Sequence, residues 1–191
     1  MRNIIFTITF SALFLSCNNK PDSALNHDKK INTADSSNTI EIEVAERKPG
    51  KPYFDFDVVE HYFLDISEGE AAVLHMNENP SRKERELKEI LYNNNLENVS
   101  KLTEYGFKKT TWEKPKLKIA QKIFTENNCE GDAAACIAIF RDIYVFKMKG
   151  KIIGTVKVCF ECRRYIIDGT KMDIENFGQG GDFEKLYKIS R

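Results

Sequence analysis

Four cysteines carry the chemistry this sequence offers: Cys129, Cys136, Cys159 and Cys162. Such thiols form disulfides, bind soft metals as thiolates or attack other disulfides, and spacing and compartment decide among these fates. Cys159-Phe160-Glu161-Cys162 has the CxxC spacing of dithiol oxidoreductases, whose chemistry needs a lowered pKa on the first thiol. The basic neighbours Arg163 and Arg164 could lower it, but the motif lies in a strand-like run with no helix start after it. A zinc site with all four thiolates is a second option. The CxxC pair suits it, whereas the six residues between Cys129 and Cys136 exceed the usual two to four. Structural disulfides are the third option, and an even cysteine count in an exported chain favours them. A three-residue turn at Met148-Lys149-Gly150 sets Lys147 opposite Lys151, and the same register carries Cys136 opposite Cys162. Cys129 is then left for Cys159. A two-residue turn breaks that register, and a local Cys129–Cys136 bridge is the alternative pairing.

Export is read from the first residues. Arg2 is a short positive start, and the run from Ile4 to Leu15 is mostly apolar. A dozen residues fall short of the about 20 that cross a hydrocarbon core, so the run is a secretory segment and not a span. Phe14-Leu15-Ser16-Cys17 resembles the lipobox of bacterial lipoproteins, which most often has Leu where Phe14 stands. The resemblance implies a signal peptide over residues 1–16 and fatty acylation (palmitate-type chains) of Cys17. At about 0.8 kcal/mol per buried methylene, two or three chains hold a protein on a bilayer unaided. Asn18, in place of Asp after the lipidated cysteine, leans towards the outer membrane. The run from Arg141 to Phe146, continued through Cys159 to Cys162, is similar to bacterial envelope proteins without an assigned activity, so it implies a compartment and no reaction.

Other reactive residue types read as structural. His61 falls on the strand face opposite Tyr62 and Leu64, His75 near a helix end and His27 in a polar stretch, and all three read as surface histidines. Arg141-Asp142 reads as an ion pair or a polar step towards solvent. Gly178-x-Gly180-Gly181 before a helix invites an anion-binding reading. It lacks the Lys-Ser/Thr of a phosphate loop, however, so a turn with Asp182 as N-cap is the better account.

These residues need a scaffold. Of 191 residues, 29 are basic and 29 acidic, and cleavage before Cys17 removes only Arg2 from that set, leaving 175 residues. The balance argues against nucleic acid as a partner. From Asn18 to about Thr39 the chain is polar and aperiodic, a tether between Cys17 and the rest, with Ile40-Glu-Ile-Glu-Val44 a short strand or its end. The domain expectation is a lipidated N-terminus and tether over 17–50 and one globular domain over 51–191.

Within that domain Phe54, Phe56, Val58, Tyr62, Leu64 and Ile66 share one parity and read as a strand. Ser67-x-x-Glu70 and Ser81-x-x-Glu84 are capping boxes. The second opens a helix with Leu87, Ile90 and Leu91 inward and a Glu84–Lys88 pair outward. Leu96 to Tyr105 is helical in spacing before Gly106, and Pro115 opens a third helix. From Cys136 the period becomes two, giving a strand, a second over 152–160 and a third over 164–167, before a last helix with Phe183, Leu186 and Tyr187 inward. The expected fold class is α+β, a small antiparallel sheet with a hairpin in the C-terminal half and three to four helices packed on it. The expected function is a non-enzymatic binding module on the cell envelope. It would meet the membrane through its lipid and a protein or small-molecule ligand through its domain, with no cofactor. The alternatives are a thiol-disulfide or redox sensor using Cys159 and Cys162, or a zinc domain with four cysteine ligands.

Overall fold

The computed structural model describes residues 50–93, 96, 99–131 and 135–191. The signal peptide, Cys17, the tether, His27 and the Ile40–Val44 segment lie outside the described residues. The fold is α+β. Five antiparallel strands pair in the order β2-β1-β3-β4-β5, where β1 is Val58–Phe63, β2 Lys108–Thr111, β3 Asp142–Met148, β4 Lys151–Cys159 and β5 Arg164–Asp168. The helices are α1 (Glu68–Met76), α2 (Arg82–Tyr92), α3 (Lys114–Ile123) and α4 (Asp182–Ser190), with a 3-10 helix over Val99–Tyr105.

Both faces of the sheet are covered, which is why its central strands show no polar side. Val59, Tyr144, Phe146, Val156 and Val158 turn to one face, where α3 contributes Ala120 and Ile123, and α4 contributes Phe183, Leu186 and Ile189. Tyr62, Ile143 and Val145 turn to the other, under Leu74 of α1, Ile90 and Leu91 of α2 and Leu102. Both capping boxes form: the Ser67 and Ser81 hydroxyls accept from the Glu70 and Glu84 N–H groups, and each glutamate reaches back to its serine N–H. Lys88 does not pair with Glu84. It donates instead to the His75 carbonyl, tying α2 to the end of α1.

Several expectations are corrected. The parity run from Phe54 to Ile66 is not one strand. Tyr53, Phe54 and Phe56 join the α3/α4 side of the core before β1 begins, held where the Tyr53 N–H donates to Phe124 O and the Asp57 N–H to Lys147 O. The edge strand β2 was hidden because Lys108-Lys-Thr-Thr111 carries no apolar residue and is exposed throughout. The β3–β4 turn has two residues, not three: Met148 pairs with Lys151, and Lys149 and Gly150 take φ of 49° and 78°. A bulge at Ile153 then shifts the ladder, so that Phe146 faces Gly154 and Asp142 faces Val158. Asp182 is not the N-cap of α4. That place belongs to Gly181 at φ 86°, and the buried Asp182 begins the helix beside Lys185.

Candidate functional site

Because β3 starts only at Asp142, Cys136 does not lie in a strand facing Cys162, and the register argument that joined them does not apply. Cys136 and Cys162 are nonetheless disulfide-bonded, with Cα atoms 6.0 Å apart. The route is a loop. Residues 135–141 run alongside the end of α2, where the Phe140 N–H donates to Leu91 O, and this carries Cys136 to the turn between β4 and β5 that holds Cys162. Cys162 Sγ lies 3.6 Å from Ile137 O in the same loop.

Cys159 closes β4 beside that bridge. It packs with Phe140 and Cys162 in a small apolar cluster of its own, flanked by Ala138 and Ile166. It is a buried thiol, so the Cys129–Cys159 bridge is not formed. The reason is where the two segments are pinned. The Asn127 side chain donates to Gln179 O at 2.8 Å and accepts from the Cys129 N–H at 2.9 Å, which seats Cys129 against Gly180. The local Cys129–Cys136 alternative fails because Cys136 is taken. Burial pushes the Cys159 thiol above its ordinary pKa, and Glu161, 3.6 Å away, adds to the rise. The backbone N–H groups of Ile139 and Cys162, aimed at the sulfur, pull the other way without cancelling it. This is the reverse of the lowered pKa that a dithiol oxidoreductase needs on its first thiol. Arg141 holds Glu161 by an ion pair and donates to Ile66 O, so it is not the partner of Asp142. With Cys136 and Cys162 bonded to each other, a set of four thiolates does not exist here. Among the described residues no three of His, Cys, Asp and Glu group as metal ligands.

No family model, curated protein or solved structure matches the chain.

Sequence reasoning missed a buried ionic network on the α4 side of the sheet. His61 is not a surface histidine and Asp142 is not a step towards solvent, because the face they share is under α4. Asp142 is 2% exposed and accepts from His61 Nε2 at 2.8 Å and from both terminal nitrogens of Arg191 at 2.7 and 2.8 Å. Burial alone would raise the Asp142 carboxyl, but the Arg191 guanidinium and His61 hold it below the usual value. His61 stacks on Tyr144 with ring centroids 4.7 Å apart, and the Tyr144 hydroxyl meets Ser190 Oγ at 2.7 Å. Ser190 also donates to Leu186 O, so Ser, His and Asp are present without the serine-to-histidine bond of a nucleophilic triad. The signal that could have exposed the network is parity: His61 shares its strand face with Val59, and Asp142 shares its own with Tyr144 and Phe146, all of them core residues, so each needed a buried partner.

Two more buried charges follow the same logic. Glu60 on central β1 accepts from Lys109 on β2 and Lys147 on β3, each at 2.7 Å, and from Tyr62. Burial would raise its carboxyl, and these donors hold it low. Lys157 on β4 is 1% exposed and donates to Asn93 O just past α2, with its ammonium 5.0 Å from the Phe140 ring centre. Burial lowers it to about 8. A recess of ≈ 610 Å³ lies between α1 and α2, lined by His75, Met76, Pro80, Arg85 and Lys88 among others. Beside it Val73 and Met76 of α1 are exposed large apolar residues. No helix among the described residues is long and apolar enough to cross a membrane.

Proposed function

We propose that this protein is a lipid-anchored cell-envelope module that binds a partner rather than transforming a substrate. Cys17 carries the anchor, the outer membrane is its surface, and residues 51–191 form the displayed domain. The observation that carries the reading is the Cys136–Cys162 disulfide, because such bonds persist in oxidising compartments such as the periplasm. It agrees with the apolar run and lipobox-like residues before Cys17.

The binding role, as against catalysis, draws on how the ionisable groups are used. Asp142 is engaged by His61 and Arg191, and Glu60 by Lys109 and Lys147, so these groups are spent on one another inside or along the sheet. The partner is a protein or small molecule and not nucleic acid, given the charge balance. The test is metabolic labelling of the full chain with an alkyne fatty acid in a Gram-negative host, followed by envelope fractionation. Label on the wild type in the outer-membrane fraction, lost in Cys17→Ser, supports the proposal. An unlabelled chain, or one recovered in the cytosol, contradicts it.

A further inference from the structure

The sulfur cluster holds one element more than a structural bridge requires. A disulfide needs two cysteines, and here a third thiol is buried against it, at the end of β4 just before the turn that holds one of its sulfurs. Cys159 and Cys162 pack together in one small buried cluster, so the thiol lies beside the buried end of the Cys136–Cys162 bond. The two ends of that bond differ: Cys162 is 4% exposed, while Cys136 lies exposed on a loop without regular secondary structure.

We propose that these three cysteines form a thiol-disulfide exchange site, with Cys159 the internal nucleophile and Cys136 the surface sulfur that meets a partner's disulfide. In the first step the buried Cys159 thiol gives its proton to a solvent base, the more readily as pH rises, and its thiolate attacks Cys162 Sγ beside it. The Cys159–Cys162 bond forms, the Cys136–Cys162 bond breaks, and the electron pair leaves on Cys136. No net oxidation occurs, since one disulfide and one thiol are present before and after. In the second step the exposed Cys136 thiolate attacks a disulfide RS–SR. A mixed disulfide Cys136–S–R forms, and RS⁻ leaves and takes up a proton from solvent. The two backbone N–H groups at Cys159 steady its thiolate, and the CxxC spacing supplies the closure that the resting bridge leaves unused.

A chromogenic aromatic disulfide, dithiobis-nitrobenzoate, serves as RS–SR, and peptide mapping under non-reducing acidic conditions locates the adduct and the bridge on the full chain. The expected result is an adduct on Cys136 together with a Cys159–Cys162 bridge, and a rate at Cys136 at least ~10-fold lower in Cys159→Ser. A second variant guards against a folding defect in the first. Cys136→Ser, purified from an oxidising envelope, should carry a Cys159–Cys162 bridge. An adduct on Cys159 with Cys136–Cys162 intact, or none on Cys136, overturns the proposal. So does a Cys136→Ser protein in which both CxxC thiols alkylate.

Discussion

Asp142 and Lys157 sit at opposite ends of one physical problem, the burial of a charge in a sheet. Asp142 is compensated twice over, by His61 and by a two-pronged bond from Arg191, and its carboxyl is held low. The stability it contributes is therefore complete above about pH 4 and is lost as pH falls through its lowered folded value. Asp142→Asn leaves Arg191 without its counter-charge and should cost about 2–4 kcal/mol in urea unfolding at pH 7, discounted because Arg191 is partly exposed. A loss under ~0.5 kcal/mol would show the network to be idle.

Lys157 has a carbonyl and an aromatic face but no carboxylate bonded to it; burial outweighs the more distant Asp168 and Glu89, and its folded pKa is about 8. Unfolded, it titrates near 10.4, so between these values the unfolded state binds the extra proton and stability rises with pH. The rise should be about 2 kcal/mol from pH 8 to pH 10, the part of the separation of the two pKa values that this window spans. Lys157→Met should flatten that slope and be the more stable protein at pH 7. Equal slopes in the two proteins would contradict the assignment.

At the scale of elements, what local chemistry writes into a sequence was legible and what tertiary context imposes was not. The two capping boxes, Pro115 at the start of α3 and Gly106 at φ 96° could each be read off the chain, because each starts or stops a helix through its own residue's local chemistry. The β2 edge, the Ile153 bulge and the two-residue turn were not readable, since each is set by the strand alongside. The turn needs left-handed backbone at Lys149, a residue that enters it reluctantly. Lys149→Asn should therefore stabilise the hairpin by about 0.5 kcal/mol in thermal unfolding, while Gly150→Ala should destabilise it by about 1 kcal/mol.

One strand position is tighter still. Gly154 lets the Phe54 ring lie over β4, where it stacks on Phe146 with centroids 4.6 Å apart, and a Cβ there would meet the ring at 2.1 Å. Gly154→Ala should cost about 1–3 kcal/mol by overpacking. The same logic applies to the site: Cys136–Cys162 comes from a loop docked on α2, and no strand periodicity encodes that contact.

Taken whole, the described molecule is a sheet covered on both faces and cross-linked at one edge. The bridge closes a long loop, with its cysteines 26 residues apart, and chain-entropy reasoning gives it about 3–4 kcal/mol. Cys136→Ala should lower the urea midpoint accordingly, and an unchanged midpoint would mean the cross-link is dispensable to stability. Neither the fold nor the bridge requires a membrane. The proposed mooring rests on the seventeen residues from Met1 to Cys17, and one observation bears on it most directly. Mass spectrometry of the N-terminal peptide, from protein extracted with detergent out of the envelope, should find a chain beginning at Cys17 and heavier by two or three acyl groups. A peptide still carrying Met1, or one beginning at Cys17 with no acyl mass, would contradict the account.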